Sequence, residues 1–379
     1  MQGSVFNMLK LRASYGTTGN QNILGQSIFS APNSSRTLFD QTTGYGQLPA
    51  YAVVQIGNPD LKWETVEQAN IGLDFEVFSG RLRGNFDVYR RTTKDLYQST
   101  PISGINGTYS ILSNNGSLRN SGVEALLNYE LIKYKDFSLN LTFNGSYNKN
   151  EFIDIPSEEG FIDNGLQANV VGGALGQFYT IKYAGVNPTN GNLLFYTKDG
   201  QLTENPNPET DRRLTGKAPI PKFQGGFGFE ANYKGFYVTT QFSYVADIYR
   251  FDYDLEGLQD PTDIGIFNKS TDLLNAWTPE NRNTNIPSLY LTNKALDASS
   301  DRYLKNASYV RLRYATVGYN FNKQLLEKTP FTSVRAYVQG ENLLTWSKWR
   351  GWDAESNRGG DQYQYPTPRI FSVGLELQF

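Results

Sequence analysis

The last eleven residues of the chain are dominated by a regular alternation of apolar and polar side chains. The apolar side chains occupy every second position: Phe371, Val373, Leu375, Leu377 and Phe379. A period of two is typical of a β-strand with one apolar face and one polar face. The aromatic residues Phe371 and Phe379 lie at the two ends of a segment long enough to cross a bilayer, as in strands anchored at both interfaces. The segment therefore predicts a transmembrane β-strand.

The same alternation recurs along the whole chain. We predict ten such strands, near residues 6–16, 66–78, 81–94, 119–132, 136–148, 222–234, 236–247, 307–321, 332–345 and 369–379. They run to about twelve residues, the length of a tilted membrane strand, whereas strands of soluble sandwiches usually have five or six. The pattern favours an all-β antiparallel transmembrane β-barrel over its soluble alternative, a β-sandwich or carbohydrate-binding domain.

One predicted strand, near residues 307–321, changes phase along its length. Arg311 and Arg313 occupy alternate positions that read as inward-facing. Further along, Val317 and Tyr319 share the same parity but read as outward-facing. One extra residue in a strand reverses its faces, so we predict a β-bulge near Tyr314.

The connections between the predicted strands alternate between short and long. The short ones are 79–80, 132–135, 235 and 322–331. The long ones are 17–65, 95–118, 149–221, 248–306 and 346–368. Outer-membrane barrels have short periplasmic turns and long extracellular loops. If residue 379 ends on the periplasmic side, every long connection is extracellular.

Composition removes several classes of function. The 379 residues contain no Cys and no His, which excludes disulfides, thiolate metal sites and the usual general base of enzymes. A net charge of −2 does not favour nucleic acid. The first residues lack the features of a signal peptide, which an outer-membrane protein needs. We therefore expect a C-terminal fragment of a longer protein, or a chain whose signal has been removed, and no enzyme.

Six segments resemble TonB-dependent outer-membrane transporters: 58–64 resembles such receptors generally, and the other five resemble the narrower SusC/RagA type. They occur in the order and spacing of the C-terminal part of that family: 58–64 (NPDLKWE), 89–96 (YRRTTKDL), 114–124 (NNGSLRNSGVE), 309–313 (YVRLR), 338–345 (VQGENLLT) and 365–369 (YPTPR). Together they extend the resemblance over essentially the whole chain.

This resemblance implies a 22-stranded barrel of which the ten strands are the last ten. The signal peptide, the plug and the first twelve strands are then expected to lie outside this chain. It also implies import of an oligosaccharide or a peptide across the outer membrane of a Gram-negative bacterium. The implied partners are the TonB complex, acting through the missing plug region, a SusD-like surface lipoprotein and the outer-membrane lipid.

Two other functions stay open at this point. One is a TonB-dependent receptor for a siderophore or cobalamin, which iron-dependent expression would support. The other is a truncated barrel without a plug that forms a passive pore or transports nothing. Energy-independent leakage in liposomes would identify the passive pore.

The loop 346–368 is the predicted ligand surface. Aromatic faces stack on sugar rings and carboxylates bind hydroxyls. The candidate ligand-binding residues are Trp349, Trp352, Asp353, Tyr363 and Tyr365. Trp346 directly follows a strand, so we expect it in the aromatic girdle at the membrane interface, as we expect Phe371 and Phe379.

An acidic segment from Asp252 to Asp263 provides alternating oxygen ligands of the kind calcium prefers. However, it lacks the glycine and the bidentate glutamate of an EF-hand loop, so a solvated loop is the favoured interpretation. We predict no cofactor and no catalytic residue.

Overall fold

The fold is built on one ten-stranded antiparallel sheet. The computed structural model describes residues 5–20, 35–157, 159–262, 264–355 and 367–379. The strands of the sheet are β1 (Phe6–Asn20), β2 (Glu64–Val77), β3 (Leu82–Lys94), β4 (Ser117–Lys133), β5 (Phe137–Asp154), β6 (Phe223–Tyr233), β7 (Phe236–Ala246), β8 (Tyr309–Asn320), β9 (Ser333–Ser347) and β10 (Ile370–Gln378).

Each strand pairs with the strand that follows it in this series, so the sheet is a simple up-and-down meander. All ten predicted strands are present, and the predicted antiparallel all-β class is confirmed. The largest difference is at β5, which continues to Asp154, six residues beyond its predicted end. At nine to eighteen residues, the strands reach the length needed to cross a bilayer at a tilt.

The outer face of the sheet carries apolar side chains in rows across neighbouring strands. One row follows the backbone pairing from β2 to β6: Ile71, Val88, Val123, Tyr147 and Phe223. Every member is exposed. Soluble proteins rarely expose apolar patches of this extent, because contact between water and apolar side chains is unfavourable. The outer face is therefore suited to lipid.

The opposite face carries polar and charged side chains. The Arg12 guanidinium of β1 donates to Asp74 of β2 at 3.0 Å and to Asp87 of β3 at 2.9 Å. Gly72 lies beneath this group, and a side chain there would overlap both Asp87 and Arg12. A polar inner face with an apolar outer face is the arrangement of a membrane barrel wall.

The predicted bulge is present in β8. The pairing of β8 with β7 is continuous up to Leu312 and resumes at Tyr314, so Arg313 is the extra residue. The pairing of β8 with β9 shifts at the same place. As a result, Leu312 and Val317 both belong to the apolar outer face although their positions differ in parity. Arg311 and Arg313 both face inward.

The short connections lie at one end of the sheet and the long ones at the other, since the strands alternate in direction. One short connection contains a helical turn, α1 (Lys323–Leu326). The long ones contain two hairpins, Leu38–Thr43 with Pro49–Gln55 and Tyr97–Pro101 with Ser110–Asn114. Within the described residues, no helix has the length and apolarity needed to cross a membrane.

The two longest connections contain further small elements. A six-stranded sheet lies between β5 and β6, formed by Phe161–Asp163, Gln167–Val170, Gln177–Val186, Leu193–Tyr196, Leu202–Thr203 and Arg212–Leu214. Between β7 and β8 come the paired strands Tyr249–Phe251 and Leu304–Asn306, the helix α2 (Tyr253–Gln259) and the 3₁₀ turns Thr271–Asn275 and Lys294–Ser299. Two more 3₁₀ turns lie in the hairpins, at Tyr45–Gln47 and Gly104–Asn106.

Candidate functional site

The connection between β5 and β6 folds around a small core of its own. Ile181, Leu193 and Phe195 are fully buried there and pack together. Tyr183 and Leu296 pack against this core, and Leu296 comes from the connection between β7 and β8. A shared core means that the two connections form one structural unit, which we call the loop assembly (residues 159–221 and 248–306, as far as described).

Asn293 fastens the two parts of the loop assembly together. Its side chain accepts from the Leu193 backbone N–H at 3.1 Å and donates to the Leu193 carbonyl at 3.0 Å. It also donates to the Glu204 carbonyl at 2.8 Å. Nearby, the Asp301 carboxylate accepts from the Tyr183 backbone N–H at 2.8 Å. Because Asn293 is buried, these bonds replace water on backbone groups that would otherwise stay unpaired.

The segment 348–355, which follows β9, is bound to the inner face of the wall. Arg311 donates to Glu355 at 2.8 Å and also pairs with Asp353. Arg313 donates to the same Glu355 at 2.8 Å. We call these four side chains the latch. The side chains of Arg311 and Asp353 are only 4% and 8% exposed, so water screens their interaction little.

The latch also holds its carboxylates in the charged form. Burial alone would raise the pKa of Asp353, but hydrogen bonds from Thr367 and Arg311 outweigh it and hold the pKa below its ordinary value. Burial likewise opposes ionisation of Glu355, and Arg313 outweighs it, so the pKa of Glu355 is also lowered. Thr367 donates to Asp353 at 2.5 Å, which links the segment to the start of β10.

The predicted ligand-binding residues have different environments. Trp352 is 67% exposed, so its ring is open to a ligand. Trp349 packs against Gly351, and its backbone N–H donates to Ser347 Oγ at 3.0 Å. Asp353 belongs to the latch, which occupies its carboxylate. Tyr363 and Tyr365 lie outside the described residues, so the ligand contacts of all five stay predictions.

The predicted interface residues lie on the outer face. Trp346 is exposed near the end of β9, and its ring centroid is 6.3 Å from that of Phe242. Phe371 and Phe379 are also exposed, at opposite ends of β10. The Phe379 ring centroid is 5.1 Å from that of Phe331. All three side chains are thus exposed, and their role as anchors at the membrane interfaces stays a prediction.

Two carboxylates of the acidic segment 252–263 have partners within the loop assembly. Asp252 caps α2 by accepting from the Leu255 backbone N–H at 3.0 Å. Asp260 pairs with Lys294. Asp263 lies outside the described residues, and the part of the chain that is described has no group of three or more acidic side chains arranged to hold a metal. The calcium hypothesis therefore gains no support from the carboxylates that can be located.

Sequence reasoning missed the latch arginines as loop anchors and Asn293 as a fastener. A signal for the first existed, because Arg311 and Arg313 occupy alternate positions of one strand face and two inward cations need counter-charges. No comparable signal marks Asn293, whose partner Leu193 lies 100 residues away.

The long strands, the apolar outer face and the polar inner face define this chain as wall of a β-barrel of the bacterial outer membrane. Comparison with known proteins gives the family. The chain matches the family described as TonB dependent receptor-like, beta-barrel over residues 4–343, and it belongs to that family.

Its relatives are of the predicted SusC/RagA type. TonB-dependent receptor P3 of Formosa agariphila is 32% identical over 98% of this chain and 39% of the relative. TonB-dependent receptor SusC of Bacteroides thetaiotaomicron is 30% identical over 99% of this chain and 38% of the relative. The solved structure of the RagAB peptide importer in its "open-open" state superposes with a TM-score of 0.87 at 28% identity, over 100% of this chain and 41% of that chain. The chain thus spans about two fifths of the length of its curated relatives and lies in the outer membrane of a Gram-negative bacterium.

Proposed function

We propose that this chain supplies wall and extracellular loops to a TonB-dependent importer of nutrients. The observation that carries the proposal is the ten-stranded sheet, which is apolar outside and polar inside and matches the RagAB importer along its whole length. A wall of this kind provides a rigid frame, a polar lumen and a surface for ligand. Energy coupling is assigned to a plug region beyond these residues, through which TonB acts.

The ligand class and the partner follow from the same family type. RagAB is described as a peptide importer, and SusC is a TonB-dependent receptor. We propose that the ligand here is an oligosaccharide or a peptide and that a SusD-like lipoprotein covers the extracellular end. The loop assembly supports this part of the proposal, because it offers a folded surface at the end of the sheet where the long connections lie.

Uptake by living cells tests the proposal. The gene encoding the whole protein is deleted in its own bacterium, and uptake of fluorescent oligosaccharides and peptides is measured with and without a protonophore. We expect uptake of one ligand class to require both the gene and the proton gradient. An affinity tag on the restored protein should recover a surface lipoprotein. As the control, the gene is restored, and uptake is compared once the outer membrane of the restored strain contains as much of the protein as that of the original strain.

Three other results would overturn the proposal. Uptake that depends on the gene but persists without the proton gradient would indicate a passive pore. Expression and growth defects confined to iron or cobalamin limitation would indicate a receptor for those nutrients. Normal uptake of every oligomer in the deletion strain would remove the import function altogether.

A further inference from the structure

The loop assembly and the segment after β9 enclose a cavity of about 390 Å³. Its lining side chains come from three separate connections, including Tyr183, Asp252, Arg302, Lys305, Lys348 and Arg350. A volume of this size is within the range of small-molecule sites in proteins. The predicted ligand residues Trp349, Trp352 and Asp353 are not part of its lining.

The lining carries more positive than negative charge. Arg302 has a carboxylate partner in Asp297 at 2.5 Å, and Arg350 has one in Asp272 at 2.9 Å. Lys305 and Lys348 form no ion pair with any residue that the structure describes. Burial lowers the pKa of Lys305 and the charge of Arg302 lowers it further, while the carboxylates of Asp252 and Asp301 oppose this shift without cancelling it. An anion in the cavity would relieve this repulsion.

Three of the residues that line the cavity each have a buried polar atom with no hydrogen-bond partner among the described residues. These atoms are Asp252 Oδ2, Arg302 Nη2 and Tyr183 Oη. Asp252 is completely buried, and Arg302 is more than nine-tenths buried. Buried groups of this kind are rare in native proteins, because each costs the free energy of its lost hydration. The three atoms offer a ligand one guanidinium donor, one carboxylate acceptor and one hydroxyl.

The other oxygen of Asp252 is already used. Asp252 Oδ1 accepts from the Leu255 backbone N–H at the start of α2. Burial raises the pKa of Tyr183 to about 12, so its hydroxyl keeps its proton and can donate or accept a hydrogen bond. Lys305 donates one hydrogen bond to the Arg302 carbonyl, which leaves its other two N–H groups for a ligand. The cavity therefore presents for an anion an arginine donor and two lysines that have no carboxylate partner among the described residues. It also presents an Asp252 acceptor for a hydroxyl or N–H group on the same ligand.

We propose that this cavity binds a carboxylate group that has a hydrogen-bond donor beside it. The carboxylate lies against Lys305, Lys348 and Arg302, and the neighbouring donor bonds Asp252 Oδ2. Two sources share this chemistry: a uronic acid with its ring hydroxyls, and the carboxyl terminus of a peptide with its last N–H. The proposal rests on the proposed import function and deepens it, since it makes the imported oligomer acidic.

Ligand-observed NMR titration of the purified full-length transporter, with its lipoprotein partner bound, tests the site. The probes are D-glucuronate, its uncharged counterpart D-glucose, N-acetylglycine, the uncharged N-acetylglycinamide and inorganic sulfate. We expect an acidic probe to bind and its uncharged counterpart to bind far more weakly. Preference for glucuronate assigns the site to uronic acids, and preference for N-acetylglycine assigns it to peptide termini.

Three variants sharpen the test. Lys305→Met and Lys348→Met should each weaken binding of the acidic probe by roughly tenfold or more, since each removes a charge-assisted hydrogen bond. Lys348 is exposed, so its replacement leaves the fold intact. Lys198→Met is the matched control: Lys198 is an exposed lysine of the loop assembly that does not line the cavity, and its replacement should change nothing.

Asp252→Asn separates a carboxylate site from a general anion site. Asparagine keeps an oxygen for the cap of α2 and places an N–H₂ where Oδ2 was. The variant should bind the acidic probe more weakly and sulfate more tightly, because it loses the acceptor and one negative charge.

Equal binding of acidic and uncharged probes would overturn the proposal, as would unchanged binding in both lysine variants. If sulfate binds the unaltered protein as tightly as glucuronate and N-acetylglycine do, the proposed role of the hydrogen-bond donor on the ligand is overturned. Failure of this site is distinct from failure of the import function. If the transporter imports uncharged oligomers but binds no acidic probe, only the proposed site is refuted. If it binds the probes but imports nothing, only the proposed import function is refuted.

Discussion

The wall and the loop assembly use the same residue types in opposite ways. Ile71 in the wall is 60% exposed, whereas Ile181 in the loop assembly is fully buried. The wall is held by backbone ladders between long strands, and its apolar side chains face lipid. The loop assembly is held by a small core and by side chains such as Asn293 that bond backbone groups. The outward-facing apolar side chains of the wall would be unfavourable in water, whereas the buried core of the loop assembly is usual there. The boundary between the two regions therefore marks the membrane surface.

The latch connects the two regions, and its removal should have the largest effect. Arg311→Met leaves the buried Asp353 without its cation, which costs about 3–5 kcal/mol while the carboxylate stays in place. We therefore expect the segment 348–355 to leave the wall while β8 stays paired. Hydrogen–deuterium exchange should show faster exchange in this segment only.

Arg313→Met is the matched control for the latch. Among the described carboxylates Arg313 pairs only with Glu355, and both side chains are about one-third exposed, so its loss should open the segment much less. Equal effects of the two variants would contradict the central role of Arg311.

A charge on the outer face tests whether the wall contacts lipid. Leu375→Arg places a cation near the middle of β10 and should destabilise the wall by about 2–4 kcal/mol, because its charge loses hydration in the bilayer. The measurement is the heat or urea needed to unfold the protein in lipid vesicles. Ser372→Arg, on the polar face of the same strand, should have little effect. A similar loss of stability in both variants would contradict the assignment of Leu375 to the outer face and Ser372 to the polar face.

Asn293→Ala tests the loop assembly without changing the wall. The variant leaves the backbone groups of Leu193 without partners, and each such buried group costs about 1–3 kcal/mol. Limited proteolysis should cut the connections between β5 and β6 and between β7 and β8 faster, with the wall intact. Asn283→Ala, at an exposed position of the same connection, is the control. Loss of the wall along with the loops would show that the two regions are not independent.

Acid should open the latch with the smallest effect of the four. The pKa values of Asp353 and Glu355 are lower in the latch than in a free loop, so the latched form binds fewer protons. Its stabilisation is complete above the ordinary carboxyl pKa of about 4 and is lost as pH falls through the lowered values. Protection of the segment 348–355 against exchange, measured relative to the rate of an unstructured peptide at the same pH, should therefore fall below about pH 4 and stay constant from there to neutral pH. A loss of protection centred near neutral pH would contradict this assignment.

The wall could be predicted from the sequence because its rule is local. Each strand shows its own alternation, and even the bulge at Arg313 appears as a change of phase. The loop assembly follows no such period, since Asn293 and Leu193 meet across 100 residues. The latch lies between these cases: the inward arginines can be predicted, but nothing in the sequence pairs them with Asp353, which follows β9 in a separate connection. The cavity could not be predicted, because its lining comes from three connections whose meeting depends on the folded loops.

The bulge in β8 divides that strand into two halves that can change separately. Without Arg313, one parity would run through the whole strand, and either Leu312 or Val317 would turn toward the lumen. Deleting this single residue would thus exchange the inner and outer faces of half the strand, and it would do so without any substitution. With the bulge in place, the half that carries Arg311 can vary with the loops it anchors while the half that carries Val317 continues to match the lipid. One extra residue therefore lets a single strand meet two sets of requirements that vary independently.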